Sequence, residues 1–167
     1  GRSQYEADLR GCRSPQEMLA RLRAFAASHP GAWLIGRGWD QSGWPGGQFP
    51  DRYLLDEVFP ERPVLLERID LHAAVVNGEA LRRAGLDGPR QVAGGKVALD
   101  GQGQPTGLLI DRAQELVWAQ VPPPSQAETD QYLQRAAGDC AAVGLTSVGD
   151  ALLDHDALTC IGALQAE

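Results

Sequence analysis

Val64-Leu65-Leu66-Glu67-Arg68-Ile69-Asp70-Leu71-His72 decides how this chain is read. A short apolar run between Pro60, Pro63 and a charged exit has the length and composition of a buried strand over residues 64–68. Upstream, Trp33 to Trp39 reads as a second short strand, running into a loop from Asp40 to Pro50 that Gly43, Pro45, Gly46 and Gly47 break too often for a helix. Before that strand, Ser14-Pro15-Gln16-Glu17 is a capping box with proline at the first helical position. The apolar positions Met18, Leu19, Leu22, Phe25 and Ala26 follow at helical spacing and stop at His29-Pro30-Gly31. Arg52 to Phe59 has helical spacing as well.

Downstream, Asn77 can cap a short helix through Ala84, with Gly85 closing it in the left-handed conformation. Lys96 to Leu99 and Thr106 to Leu109 flank Asp100-Gly101-Gln102-Gly103 as a hairpin. A helix is expected around Asp111 to Trp118. A stiff Pro122-Pro123-Pro124 linker and a second capping box, Ser125 to Glu128, lead into another helix, to Val143. Gly144 to Val148 reads as a strand entering Asp150, and Asp156 to Leu164 as a final short helix. Strands and helices interleave, so the fold class is α/β, a mixed α+β arrangement, expected as one compact unit over residues 1–167.

The 167 residues carry 43% hydrophobic content and a formal net charge of -7, which disfavours nucleic acid and anionic membrane as partners. No apolar run reaches the roughly 18 residues of a membrane span. The chain reads as a soluble, cytoplasmic protein, a reading compatible with a removed leader. Cys12, Cys140 and Cys160 are odd in number and widely spaced, as expected of buried or half-buried thiols in a reducing compartment.

The densest polar constellation is Arg68, Asp70 and His72, continued by Asn77. If strand alternation continued past residue 68, the first three would share one face, where a cation, a carboxylate and an imidazole can act together on a polar substrate. On that reading His72 binds a metal or a substrate oxygen, Asp70 orients its ring and Arg68 holds an anion. The plainer alternative is an Arg68–Asp70 ion pair, a turn histidine and a helix-capping Asn77. Either Trp39-Asp40-Gln41 and the glycine-rich loop after it wall a pocket mouth, or Trp39 and Trp44 pack that loop down. Asp111 and Glu115 are one helical turn apart, as paired carboxylates or as a solvated face. Asp150 is either catalytic or a cap, and His155 is better read as exposed. The chain has no nucleophile elbow, Walker loop, GxGxxG, HExxH or HxH.

Several phrases in order resemble amidohydrolase family 3, a group that includes N-substituted formamide deformylases. They are Trp33 to Gln41, Trp44 to Gly47 with Phe49-Pro50, Arg68 to Ala74 with Val76-Asn77 and Ala80-Leu81, Asp100 with Gly103 to Leu109, and Gly144 to Val148 with Asp150. The resemblance implies a metal-dependent hydrolase of C–N bonds other than peptide bonds, built on a (β/α) barrel. An HxH pair and later ligands would hold one or two divalent metals, zinc foremost, that activate water. This chain has neither the HxH pair nor the later ligands. It resembles the long insertion after the first barrel strand, about residues 14–143, with a return to a barrel strand at about 144–150. Such a segment supplies pocket wall and lid, holds no metal itself and is inactive alone.

The resemblance casts His72 and Asp70 as catalytic, and Arg68, Trp39, Asp40 and Asn77 as binding a small-molecule substrate. Where relatives often carry a histidine before the aspartate matching Asp150, this chain has Gly149, and Lys96 in a hairpin is not a bridging lysine. The competing expectation is a non-catalytic binding or assembly module. Self-association of the isolated chain through exposed apolar surface is expected on the first reading.

Overall fold

The computed structural model describes residues 5–149, 158–159 and 161–162. They divide into two compact units with a boundary at the proline linker, Tyr5–Val121 and a second that holds the described residues from Pro122 onward.

In the first unit the elements run β1 (Ala7–Asp8), α1 (Pro15–Ser28), β2 (Leu34–Trp39), α2 (Arg52–Asp56), β3 (Val64–Arg68), β4 (Ala73–Val76), α3 (Gly78–Arg83), β5 (Gln91–Val92), β6 (Gly95–Leu99), β7 (Pro105–Asp111) and α4 (Glu115–Trp118). All the strands join one seven-stranded sheet in the order β1-β2-β3-β4-β7-β6-β5. β1, β2 and β3 are parallel and the remaining pairings antiparallel. The mixed α/β class expected from the sequence is the class observed.

Side-chain alternation assigns the two faces. Val64 and Leu66 of β3, with Ala73 and Val75 of β4, pack against Met18, Leu19 and Leu22 of α1 and Leu55 of α2. Leu65, Ala74 and Val76 point the other way, joining Val97 and Leu109 under Ala80 and Leu81 of α3 and Val117 of α4. Covered on both faces, β4 is buried at all four positions. That is why its Ala-Ala-Val-Val sequence has none of the alternation that marks a half-exposed strand.

The local signals act largely as read. Ser14 Oγ accepts from Glu17 N, although the Glu17 carboxylate reaches Arg13 N, one residue beyond a standard box. Asn77 caps α3 and Gly85 lies at φ +64. Gly107 has a sharper requirement. Its φ is +87, and a Cβ there would sit 2.3 Å from the Val76 carbonyl oxygen and 2.8 Å from Arg52 Cβ. We expect Gly107→Ala to lower unfolding free energy by about 2–4 kcal/mol, from backbone strain and forced displacement of β4 together. Urea titration followed by circular dichroism checks this, and a loss below about 1 kcal/mol would show that the β4–β7 contact yields freely.

In the second unit, α5 (Gln126–Ala142) begins with the complete capping box of Ser125 and Glu128. The strand expected at Gly144 to Val148 does not form. Gly144, at φ +81, closes the helix instead, with Gly144 N donating to Ala141 O and Leu145 N to Cys140 O, both at 3.0 Å. These are the two bonds of a Schellman motif. Residues 145–149 then run without regular structure, since no strand among the described residues lies alongside to complete a ladder. Asp150 and His155 lie outside the described residues, as does most of the expected helix at Asp156 to Leu164.

Candidate functional site

The side chains of Arg68, Asp40 and Asp70 gather where β2 and β3 end side by side. Ile69 N donates to Trp39 O at 3.0 Å, so the exits of the two parallel strands leave the sheet together. The carboxyl ends of parallel strands are where α/β sheets most often bind ligands, because departing loops there present side chains from a fixed frame.

Arg68 is the hub. Its Nε donates to Gln41 Oε1 at 2.8 Å, its Nη2 to Asp40 Oδ1 at 3.1 Å, and its Nη1 to Asp70 Oδ2. Asp40 Oδ1 also accepts from Ser42 N at 3.0 Å and from the Ser42 hydroxyl. Hydrogen bonds from Ser42, aided by the Arg68 charge, hold the Asp40 carboxyl below its ordinary value. A depressed folded value stabilises the network above the unfolded carboxyl range near 3.8, and this contribution fades as pH falls through the folded value. One guanidinium between two carboxylates leaves the trio Arg68, Asp40 and Asp70 at a formal charge of -1.

Strand alternation does not carry through to His72. β3 stops at Arg68, and Leu71 takes φ +64 in a turn into β4. Asp70 therefore meets Arg68 and the His72 backbone, where its Oδ1 accepts from N at 3.1 Å, and not the imidazole. The ring finds another carboxylate, with Nδ1 2.9 Å from Asp111 Oδ1 at the end of β7, and the His72 side chain is 77% exposed. Asp111 is thus a ring partner for His72, while Glu115 pairs with Arg112. Of the two readings of Asp111 and Glu115, the observed one is the solvated face, each carboxylate exposed and with its own partner.

Trp39 and Asn77 are placed elsewhere. Trp39 is fully buried, donates from Nε1 to Leu66 O at 2.8 Å and packs with Trp44 at 6.1 Å between ring centroids. Trp44 in turn donates to Cys12 O at 2.8 Å, so of the two sequence readings the observed contacts are those of a packed loop. Asn77, also fully buried, spends its amide on Val64 N, Ala80 N, Phe59 O and Arg62 O. Cys12 is buried, and burial pushes its thiol up; Cys140 is half-buried.

The sequence reading missed Gln114 and the pairing of Asp111 with His72, and it placed Gln41 at a possible pocket mouth without its bond to Arg68. Gln41 stood in the quoted Trp-Asp-Gln phrase and its 7% exposure had no local signal. Asp111 lies 39 residues from its partner, a separation at which no spacing rule operates. Among the described residues no group of three or more His, Cys, Asp and Glu side chains is placed to hold a metal ion. The described residues do not by themselves make up a metal centre.

Comparison with known proteins places this arrangement in a family. The chain is 39% identical over 148 residues to YtcJ of Bacillus subtilis (strain 168), named as an amidohydrolase, covering 87% of this chain and 28% of that protein. It is 33% identical over 129 residues to the N-substituted formamide deformylase of Arthrobacter pascens, covering 74% of this chain and 24% of that one. The fold matches an uncharacterized metal-dependent hydrolase from Pyrococcus horikoshii OT3 with a TM-score of 0.69 and 25% identity, over 98% of this chain and 31% of that structure. The chain therefore spans about a quarter to a third of the length of these relatives. A model of the amidohydrolase family matches residues 2–167, and the chain belongs to that family.

Proposed function

We propose that the full-length protein is a metal-dependent hydrolase of C–N bonds other than peptide bonds, acting on amide or formamide-like small molecules. In this reading the present chain is the insertion after the first barrel strand, supplying pocket wall and lid, and the metal-binding set comes from outside it. Zinc is the proposed metal, and when bound by ligands outside this chain it would supply the activation of water that hydrolysis needs.

The observation that carries the reading is the turn from Arg68 to His72. It projects an exposed imidazole from a fixed frame, beside a guanidinium already neutralised by Asp40 and Asp70. A site with its cation so compensated favours a neutral hydrogen-bonding substrate over an anion, and an amide is such a substrate. Within the turn, His72 is proposed as the group that meets the substrate. Asp70 fixes the His72 backbone, and Arg68 with Asp40 locks the turn to the β2 exit. The family match and the name of the Arthrobacter relative support the substrate class.

Metal analysis and an amidase screen on the full-length protein, with N-substituted formamides and simple carboxamides, test the proposal. Stoichiometric metal and turnover of one of these classes is the expected result. A metal-free product that binds such amides saturably without cleaving them would sink it in favour of a binding module.

A further inference from the structure

Two non-glycine residues among those described have positive φ, Leu71 at 64° and Asp111 at 48°. Such backbone is uncommon outside glycine and costs free energy, so it persists only where surrounding contacts hold it. Here the two strained residues are tied to each other. Asp111 N donates to His72 O at 2.9 Å, and Gln114 Nε2 donates to both Leu71 O, at 3.0 Å, and Asp111 O, at 3.2 Å. Gln114 is only 6% exposed, and its Oε1 is buried without a hydrogen-bond partner among the described residues. One buried side chain thus clamps both strained positions, and the side chain between them is the exposed His72, with Nδ1 2.9 Å from Asp111 Oδ1.

A carboxylate accepts and does not donate, so the neutral imidazole must carry its proton on Nδ1 to make that bond. The Nε2 lone pair is then left unprotonated on the solvent side of the ring. We propose that Asp111 and Gln114 are positioning residues for His72: Asp111 fixes the Nδ1–H tautomer, Gln114 holds the backbone that aims the ring, and Nε2 is presented as a hydrogen-bond acceptor for an amide N–H. The Asp70 carboxylate, with one oxygen on the His72 backbone and the other on Arg68, does not compete for the ring. This assignment rests on the proposed amide-hydrolase reading for its substrate, but not for its geometry.

The chain has three histidines, His29, His72 and His155, so its imidazole nitrogens can be assigned individually. Long-range proton–nitrogen spectra of the histidine-labelled 167-residue chain under mildly alkaline conditions should show His72 protonated on Nδ1. Asp111→Ala should move the proton to Nε2, and Asp111→Asn, which keeps a carbonyl acceptor and tolerates positive φ, should restore Nδ1–H. An Nε2–H tautomer in the unmutated chain overturns the proposal without any variant, as does an unchanged tautomer in folded Asp111→Ala. In the full-length protein, with formanilide as probe amide, Asp111→Ala should lower turnover by roughly 10- to 100-fold, the scale of losing a side chain that orients a working histidine. If the tautomer switches but turnover per folded molecule is normal in both Asp111→Ala and His72→Asn, the amide-site reading fails while the tautomer assignment stands. If His72→Asn is impaired and the tautomer does not depend on Asp111, the positioning role alone fails.

Discussion

Replacing His72 by Asn in the full-length protein is expected to lower turnover of an amide substrate by roughly 100-fold, the scale associated with losing a positioned acid, base or donor. Folding should be nearly unaffected. The imidazole is 77% exposed and its ring hydrogen bond is to Asp111, itself 48% exposed. An exposed pair of that kind contributes about 0–1 kcal/mol. The turn is held by other groups: Arg68 on Asp40, Gln41 and Asp70, Asp70 on the His72 backbone, and Gln114 on Leu71 O, none of which uses the ring. Thermal melts and steady-state kinetics on one preparation separate the effects. Normal turnover per folded molecule would remove His72 from the site, and with it the case that Arg68, Asp40 and Asp70 do more than brace two loops.

The elements the sequence disclosed are those whose signals are local. Ser14, Ser125 and Asn77 each cap the helix that follows, and the Asp100 turn forms with Asp100 Oδ1 accepting from Gln102 N and Gln104 N. Each depends on side-chain atoms reaching a backbone group two to four residues away, so composition at that spacing is enough. β4 was not visible because burial on both faces erases alternation. The strand expected at 144–148 failed for a related reason: Leu145 and Val148 have suitable side chains, but a strand also needs a neighbour, and Gly144 was already committed to ending α5. At the site, Arg68, Asp70 and His72 were legible as a constellation, and Asp40 as a separate pocket-mouth candidate, because polar residues follow directly on two strand signals. Their geometry was not, since the left-handed Leu71 ends alternation within the motif and turns the His72 ring toward a residue 39 positions away. Trp39 and Asn77 belong to the same sequence phrases as Asp40 and His72, yet packing gives them a different environment.

Asn77→Asp, a single-atom change in a buried amide, should cost on the order of 3–5 kcal/mol of stability at neutral pH. Asn77 Oδ1 accepts from Val64 N at 2.9 Å and Ala80 N at 3.1 Å, and an aspartate can keep both bonds. The other half of the amide cannot be mimicked. Nδ2 donates to Phe59 O at 2.7 Å and Arg62 O at 2.9 Å, and a carboxylate oxygen in its place would face two carbonyl oxygens in a position with no solvent exposure. Neither burial nor those neighbours favours the charged form, so the introduced carboxyl should titrate above its unfolded value in the folded state. The folded state then binds more protons than the unfolded one between the two values, and the substituted chain should lose stability as pH rises through that window and regain it on acidification. Asn77→Ala lacks the charge, and should cost about 2–3 kcal/mol with no such pH dependence, through the lost cap and the orphaned carbonyls. Denaturant titrations of the three chains at pH 7 and pH 5 distinguish the cases: a deficit in Asn77→Asp that does not shrink at the lower pH would mean that the site relaxes to admit water, and that Asn77 ties α3 to the sheet less rigidly than its four bonds imply.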